Sequence, residues 1–159
     1  MQSSSKPKTR NKVLKWTGLM LVCFAVYFGN RGVQTHFGEQ ALTNIEFEVL
    51  ELNVALAKAQ AHDKLVLADM SAIWCPTCRK LDSTVFSAAN VKQTIEDNFV
   101  FARVEYDSEQ GAKFMQDYQV SGFPVLLVLS SEGEKLTRLP LTFDNHEFVG
   151  NLNQVLASR

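Results

Sequence analysis

Two cysteines three positions apart, in the run Cys75-Pro76-Thr77-Cys78, can close a small disulfide between themselves and open it again. With the first at the exposed start of a helix and the second a turn further in, the first attacks and the second resolves. Unpaired backbone N–H groups and the macrodipole at a helix N-terminus favour a thiolate, moving a cysteine from its ordinary ~8.5 towards ~3.5 to 7.5. Cys75 is therefore the expected nucleophile, and Cys78 the residue that displaces a substrate sulfur from the mixed disulfide. Pro76 suits the first helical turn, where its missing N–H is no loss.

Two other uses of such a pair compete with this one. Half of a zinc site would need two further ligands, but His36, His62 and His146 are isolated and there is no second CxxC. A structural brace is open to an exported protein, yet a bridge this short closes almost no loop and gains little from chain entropy. The third cysteine, Cys23, lies in an apolar run and reads as packing or lipid-facing. The expected cofactor is thus none beyond a redox-active Cys75–Cys78 disulfide. No glycine-rich phosphate loop or metal-ligand cluster is present in the sequence.

The elements around the pair must put it at the end of a strand. Lys64 to Met70 is a short, partly β-branched apolar run of strand length, and Arg79 to Phe86 is helix-compatible, so the cysteines fall at a strand-to-helix turn. Ahead of them, Phe47, Leu50, Val54, Ala57 and Ala61 recur at three- and four-residue steps, predicting a helix over 45–61. Behind them the order continues with a helix from Ser87, as N-cap, to about Asp97 and a half-buried strand over 99–106. A helix over 108–118 and a buried strand over 125–129 follow. Ser130 to Gly133 turns the chain into an antiparallel return over 134–139, and a helix over 145–156 closes it. This αβααβαββα order predicts an α/β fold with a central mixed β-sheet flanked by helices. Function in open α/β sheets collects at the C-terminal ends of strands, where Cys75 lies.

The N-terminus reads separately. Lys6, Lys8, Arg10, Lys12 and Lys15 carry five positive charges in the first 15 residues, and removing them leaves 11 basic against 17 acidic residues, a body of about −6. Such a body has no electrostatic footprint for nucleic acid. The apolar run Trp16 to Phe28 follows the cations directly, as in an export signal, and no small-x-small cleavage site follows it. The expected organisation is a basic tail and signal peptide or signal anchor over 1–29, with membrane attachment through 14–29, a polar tether over 30–44, and one domain over 45–159. By the positive-inside rule the domain then lies beyond the membrane.

Val66 to Leu81 (VLADMSAIWCPTCRKL) resembles the active-site strand and helix of the thioredoxin superfamily, and Phe123-Pro124-Val125 resembles its cis-proline loop. Gly133 falls where the family has its hairpin turn. The run Asp82 to Val91 and Phe99-Val100 are most similar to the C-terminal periplasmic domain of transmembrane thiol-disulfide interchange proteins and related thioredoxin-like proteins. Thioredoxins are among the proteins that define the thiol range given above, so that range is borrowed from the family.

The resemblance implies a thioredoxin-like fold and thiol-disulfide oxidoreductase activity. Asp69, with Cys75 and Cys78, matches the buried acid that moves a proton to and from the resolving cysteine; the plainer alternative is a surface or capping Asp. Pro124 matches the proline whose cis peptide presents backbone to an incoming chain. Trp74 and Phe123 would flank the cysteines as an apolar docking surface, joined by Pro76 and Thr77 as substrate contacts; ordinary core packing is the alternative for both aromatics. The implied partners are protein disulfide substrates and a membrane electron donor. The implied place is the periplasmic side of the bacterial inner membrane, or the periplasm or exterior if the signal is cleaved. Pro-Thr between the cysteines is neither the Gly-Pro of typical thioredoxins nor the Pro-His of strong oxidants. A reducing centre is the expected direction, with an oxidase or isomerase as the alternative and a non-catalytic thioredoxin-fold assembly module as the reading from another class.

Overall fold

In the computed structural model, residues 9–158 are described, and the basic tail over 1–8 lies outside them. Contacts divide the chain between Val33 and Gln34 into two units.

The second unit is built on a four-stranded sheet of order β2-β1-β3-β4, with β1 at Leu65–Ser71, β2 at Phe99–Glu105, β3 at Val125–Leu129 and β4 at Lys135–Arg138. β1 and β2 are parallel, while β1–β3 and β3–β4 are antiparallel, so the sheet is mixed. Every residue of β1 and β3 is buried, which is why β3 reads as a continuous apolar run and β1 as one interrupted only by Asp69 and ended by Ser71, rather than as alternations. Side chains alternate across the sheet, and each face has its own core. Leu65, Leu67, Phe99, Phe101, Leu126 and Val128 pack on one face against helices α3 (Pro76–Leu81), α4 (Ala89–Asn98) and α6 (Asn145–Ala157). Val66, Ala68, Met70, Val100, Ala102 and Leu127 pack on the other against α2 (Leu52–His62) and α5 (Glu109–Tyr118). Phe86 and Phe101 meet edge to face at 5.0 Å in the first core.

Four expectations need correction. The helix predicted over 45–61 starts only at Leu52. Phe47 and Leu50 satisfy the apolar spacing by other means, Phe47 in the core and Leu50 in a parallel bridge to Ala102 at the edge of β2. Ser87 does not cap α4: the chain leaves α3 through a π-helical turn over Asp82–Phe86, Ser87 closes that turn, and Ala88 is the N-cap residue. The tether over 30–44 is helical as far as Leu42, because α1 spans Thr9–Leu42; Gly32, Gly38 and the polar residues do not break a helix that has no proline.

The last correction concerns the membrane segment. Leu14, Trp16, Leu19, Met20, Val22 and Phe24 are exposed on α1, yet among the described residues no helix is long and apolar enough to cross a membrane. The apolar run has 13 residues, and at 1.5 Å rise per residue it is about 20 Å long, against a hydrocarbon thickness of about 30 Å.

Candidate functional site

The site is assembled where β1 ends. Ser71 is its last residue, Cys75 is the N-cap of α3, and the Cys75 amide donates to the Ala72 carbonyl at 2.8 Å to tighten the turn. The Cys78 amide, one of the orphan donors of the helix start, donates to Cys75 Sγ at 3.1 Å. Pro76 occupies the first helical turn. Both cysteines are free thiols; Cys75 is 5% exposed and Cys78 1%. Pro76 and Thr77 are exposed between them. Burial pushes the Cys78 thiol up to about 12, reinforced by its hydrogen bond with Cys75 and opposed by one from the Ser71 hydroxyl.

Asp69 is buried, and the register explains how. It sits on the same face of β1 as Leu65 and Leu67, directly opposite Arg103 of β2. The Arg103 side chain, only 8% exposed, donates from Nη1 to Asp69 Oδ2 at 3.3 Å and to Asp82 Oδ1 at 2.9 Å, and from Nη2 to Ser71 Oγ at 2.8 Å. One cation thus serves two buried acids. Desolvation raises both carboxyls against the pull of Arg103, with Asp69 brought to about 7. Asp82 has the shorter contact, so Asp69 is the acid that keeps its proton near neutrality. Asp69 Oδ1 has no hydrogen-bond partner, which fits a group held ready to exchange a proton. Through Ser71, Arg103 links this acid pair to the Cys78 thiol.

The rim is aromatic. The Phe123–Pro124 peptide is cis, and Phe123 follows Gly122, whose φ of +77° suits glycine. Phe123 meets Trp74 edge to face at 5.2 Å and lies 4.6 Å from Tyr106. These three half-buried rings pack with Ala72, Cys75 and Cys78 in one small cluster, so Trp74 and Phe123 are packed and partly exposed at once. The end of β2 fixes the loop: the Ile73 amide donates to Glu105 Oε1 at 2.6 Å, and Trp74 Nε1 donates to Asp107 Oδ2 at 2.7 Å.

Every residue singled out from the sequence, Asp69, Trp74, Cys75, Pro76, Thr77, Cys78, Phe123 and Pro124, lies at this end of the sheet. Sequence reading missed Arg103, Asp82, Ser71, Glu105, Tyr106 and Asp107. For Arg103 a signal existed: in Phe99–Glu105 it falls in step with Phe99 and Phe101, a charge on the buried face of an alternating strand. Among the described residues no His, Cys, Asp or Glu cluster could hold a metal ion.

A thioredoxin-like family model matches residues 48–131, more than half of the chain. The thiol:disulfide interchange protein DsbD of Salmonella paratyphi A is 30% identical over 118 residues, covering 72% of this chain and 20% of that protein. The chain therefore spans about a fifth of the length of the curated relatives it matches. Among solved structures, a thioredoxin from Thermus thermophilus superposes with a TM-score of 0.64 at 30% identity, over 70% of this chain and 88% of that one. The DsbD C-terminal domain of Neisseria meningitidis in the oxidised form shares the fold at TM-score 0.56 and 21% identity, over 67% of this chain and 98% of that one.

Proposed function

Because the chain belongs to the thioredoxin-like family and resembles DsbD, we propose that it is a thiol-disulfide oxidoreductase working in the reducing direction on protein disulfides. The observation that carries the reading is the arrangement at the start of α3. Cys75 Sγ is held at the helix N-cap by the Cys78 amide, beside a buried Cys78 connected through Ser71 and Arg103 to an acid that titrates near neutral pH.

The Cys75 thiolate attacks one sulfur of a substrate disulfide, forming a Cys75–substrate bond and expelling the other substrate sulfur as a thiolate. Asp69, in its ionised form, then takes up the Cys78 proton, and the Cys78 thiolate attacks Cys75 Sγ. The second substrate thiolate leaves, and protonation of both substrate thiolates, one by the proton held on Asp69 and one from the solvent that took up the Cys75 proton, completes a transfer of two electrons and two protons. The substrate is reduced to a dithiol, the protein is left with a Cys75–Cys78 disulfide, and an external dithiol must reduce it again. The cis Phe123–Pro124 peptide and the faces of Trp74 and Phe123 supply the surface on which the substrate backbone lies.

Pro-Thr between the cysteines contributes no imidazole to stabilise the reduced form, which favours a reducing centre. Equilibration with glutathione and dithiothreitol buffers should give a potential of about −200 to −270 mV; a value near ~−120 mV, typical of strong oxidants, would reverse the direction.

We place the domain outside the cytoplasm, with five cations followed by a 13-residue apolar run as its export signal and a membrane dithiol as its electron source. A phosphatase reporter active only beyond the membrane, fused to the C-terminus, should be active. Cytoplasmic signal alone would exclude export.

A further inference from the structure

The end of α1 meets the redox centre on both sides of the CxxC. Gln34, Gly38 and Ala41 recur at helical steps and share one face, with Gly38 and Ala41 buried. A Cβ at Gly38 would stand 1.9 Å from the Ile73 carbonyl oxygen, so the helix backbone itself rests on the residue two before Cys75. One turn earlier, Gln34 Oε1 accepts from Arg79 Nη1 at 2.7 Å, and the same guanidinium lies 5.4 Å from the centre of the Phe37 ring. Arg79 directly follows Cys78. These residues belong to the same unit as the sheet, yet lie ahead of the family match, which begins at residue 48. Without them the Ile73 carbonyl and Arg79 would lose this cover.

We propose that residues 34–42 form a specificity-determining rim of the active site. They occupy the Ile73–Arg79 flank of Cys75, leaving it open to disulfides on narrow or extended segments that arrive over Phe123-Pro124 and closing it to disulfides set in a broad folded surface. Thiol-disulfide exchange needs the attacking sulfur to approach along the axis of the disulfide, so bulk beside a cysteine that is 5% exposed decides which disulfides reach it. The rim rests on the oxidoreductase reading above and adds a substrate class to it.

The test compares two substrates on the full chain: a short linear peptide closed by one disulfide, and insulin, whose disulfides lie in a folded surface. Gly38→Val forces the helix off the Ile73 carbonyl, and the double change Gln34→Ala with Phe37→Ala removes the contacts to Arg79. Faster amide hydrogen exchange over 34–42 should accompany a rise of about tenfold in insulin reduction, the factor expected when one hydrogen bond to a charged group no longer holds the rim closed. The peptide rate should not change. An insulin-to-peptide ratio that stays level or falls once the helix loosens overturns the rim, as does unaltered exchange in both variants. A wild-type chain inert towards the peptide overturns the oxidoreductase reading as well.

Discussion

At the residue scale the chemistry depends on how three buried charges share one environment. Asp69 and Asp82 both lean on Arg103, and a single guanidinium cannot hold two desolvated carboxylates ionised as well as it holds one. Asp69, brought to about 7 by burial, therefore binds a proton in the folded chain over a window in which the unfolded chain has released it. Between about pH 4 and 7 the folded state carries the extra proton, so stability falls as pH rises through that window. Asp69→Asn removes the penalty. Urea unfolding at pH 8 should show the variant more stable by about 2 kcal/mol, less than the full shift allows because a contact to Arg103 is lost, with the gain vanishing below about pH 4. Its disulfide turnover should drop about tenfold to a hundredfold and lose the inflection near pH 7. A variant with wild-type stability at pH 8 and a wild-type pH profile would remove Asp69 from the proton path.

At the element scale, the position of Cys75 depends on the far end of β2 as much as on β1. Glu105 and Asp107 hold the Ile73–Trp74 loop, and α5 in turn packs its first turn onto that strand end. Ser108 caps α5 by accepting from the Gly111 amide at 2.9 Å, and a Cβ at Gly111 would come within 2.3 Å of the Glu105 carbonyl oxygen. Gly111→Ala should gain up to ~1 kcal/mol in helix propensity but lose about 1–3 kcal/mol to overpacking against backbone. Chemical denaturation is expected to show net destabilisation, together with altered Trp74 fluorescence; a stabilised variant would mean that α5 moves freely.

The strands and the turn bearing the cysteines were legible in the sequence because short apolar runs of strand length, broken in β1 only by Asp69, and bounded by polar residues have few other readings. The π-helical turn was not, since it preserves helical composition while shifting which residues point inward; that shift is what leaves Asp82 buried beside Arg103. Nor could spacing alone show that Phe47 and Leu50 lie ahead of the helix, because two apolar residues three apart fit a helical turn whether or not the chain there is helical, and Leu50 instead bridges Ala102. The Asp69–Arg103 pair needed the strand register, which periodicity within one strand does not supply.

At the scale of the whole molecule, an oxidoreductase needs a nucleophile, a resolving thiol, a proton acceptor and a docking surface in one place. Cys75, Cys78, Asp69 and the Trp74–Phe123–Pro124 rim come from β1, α3 and the entrance to β3, and only the mixed sheet brings them together. Catalysis by this centre is the central claim, and steady-state reduction of a disulfide-closed peptide, driven by a dithiol, tests it most directly. Wild-type protein should turn over many equivalents, Cys75→Ala should fall to the uncatalysed background, and Cys78→Ala mixed with the peptide in the absence of the dithiol should stall after one equivalent with the peptide bound to Cys75. Turnover by Cys75→Ala at the wild-type rate would contradict the account.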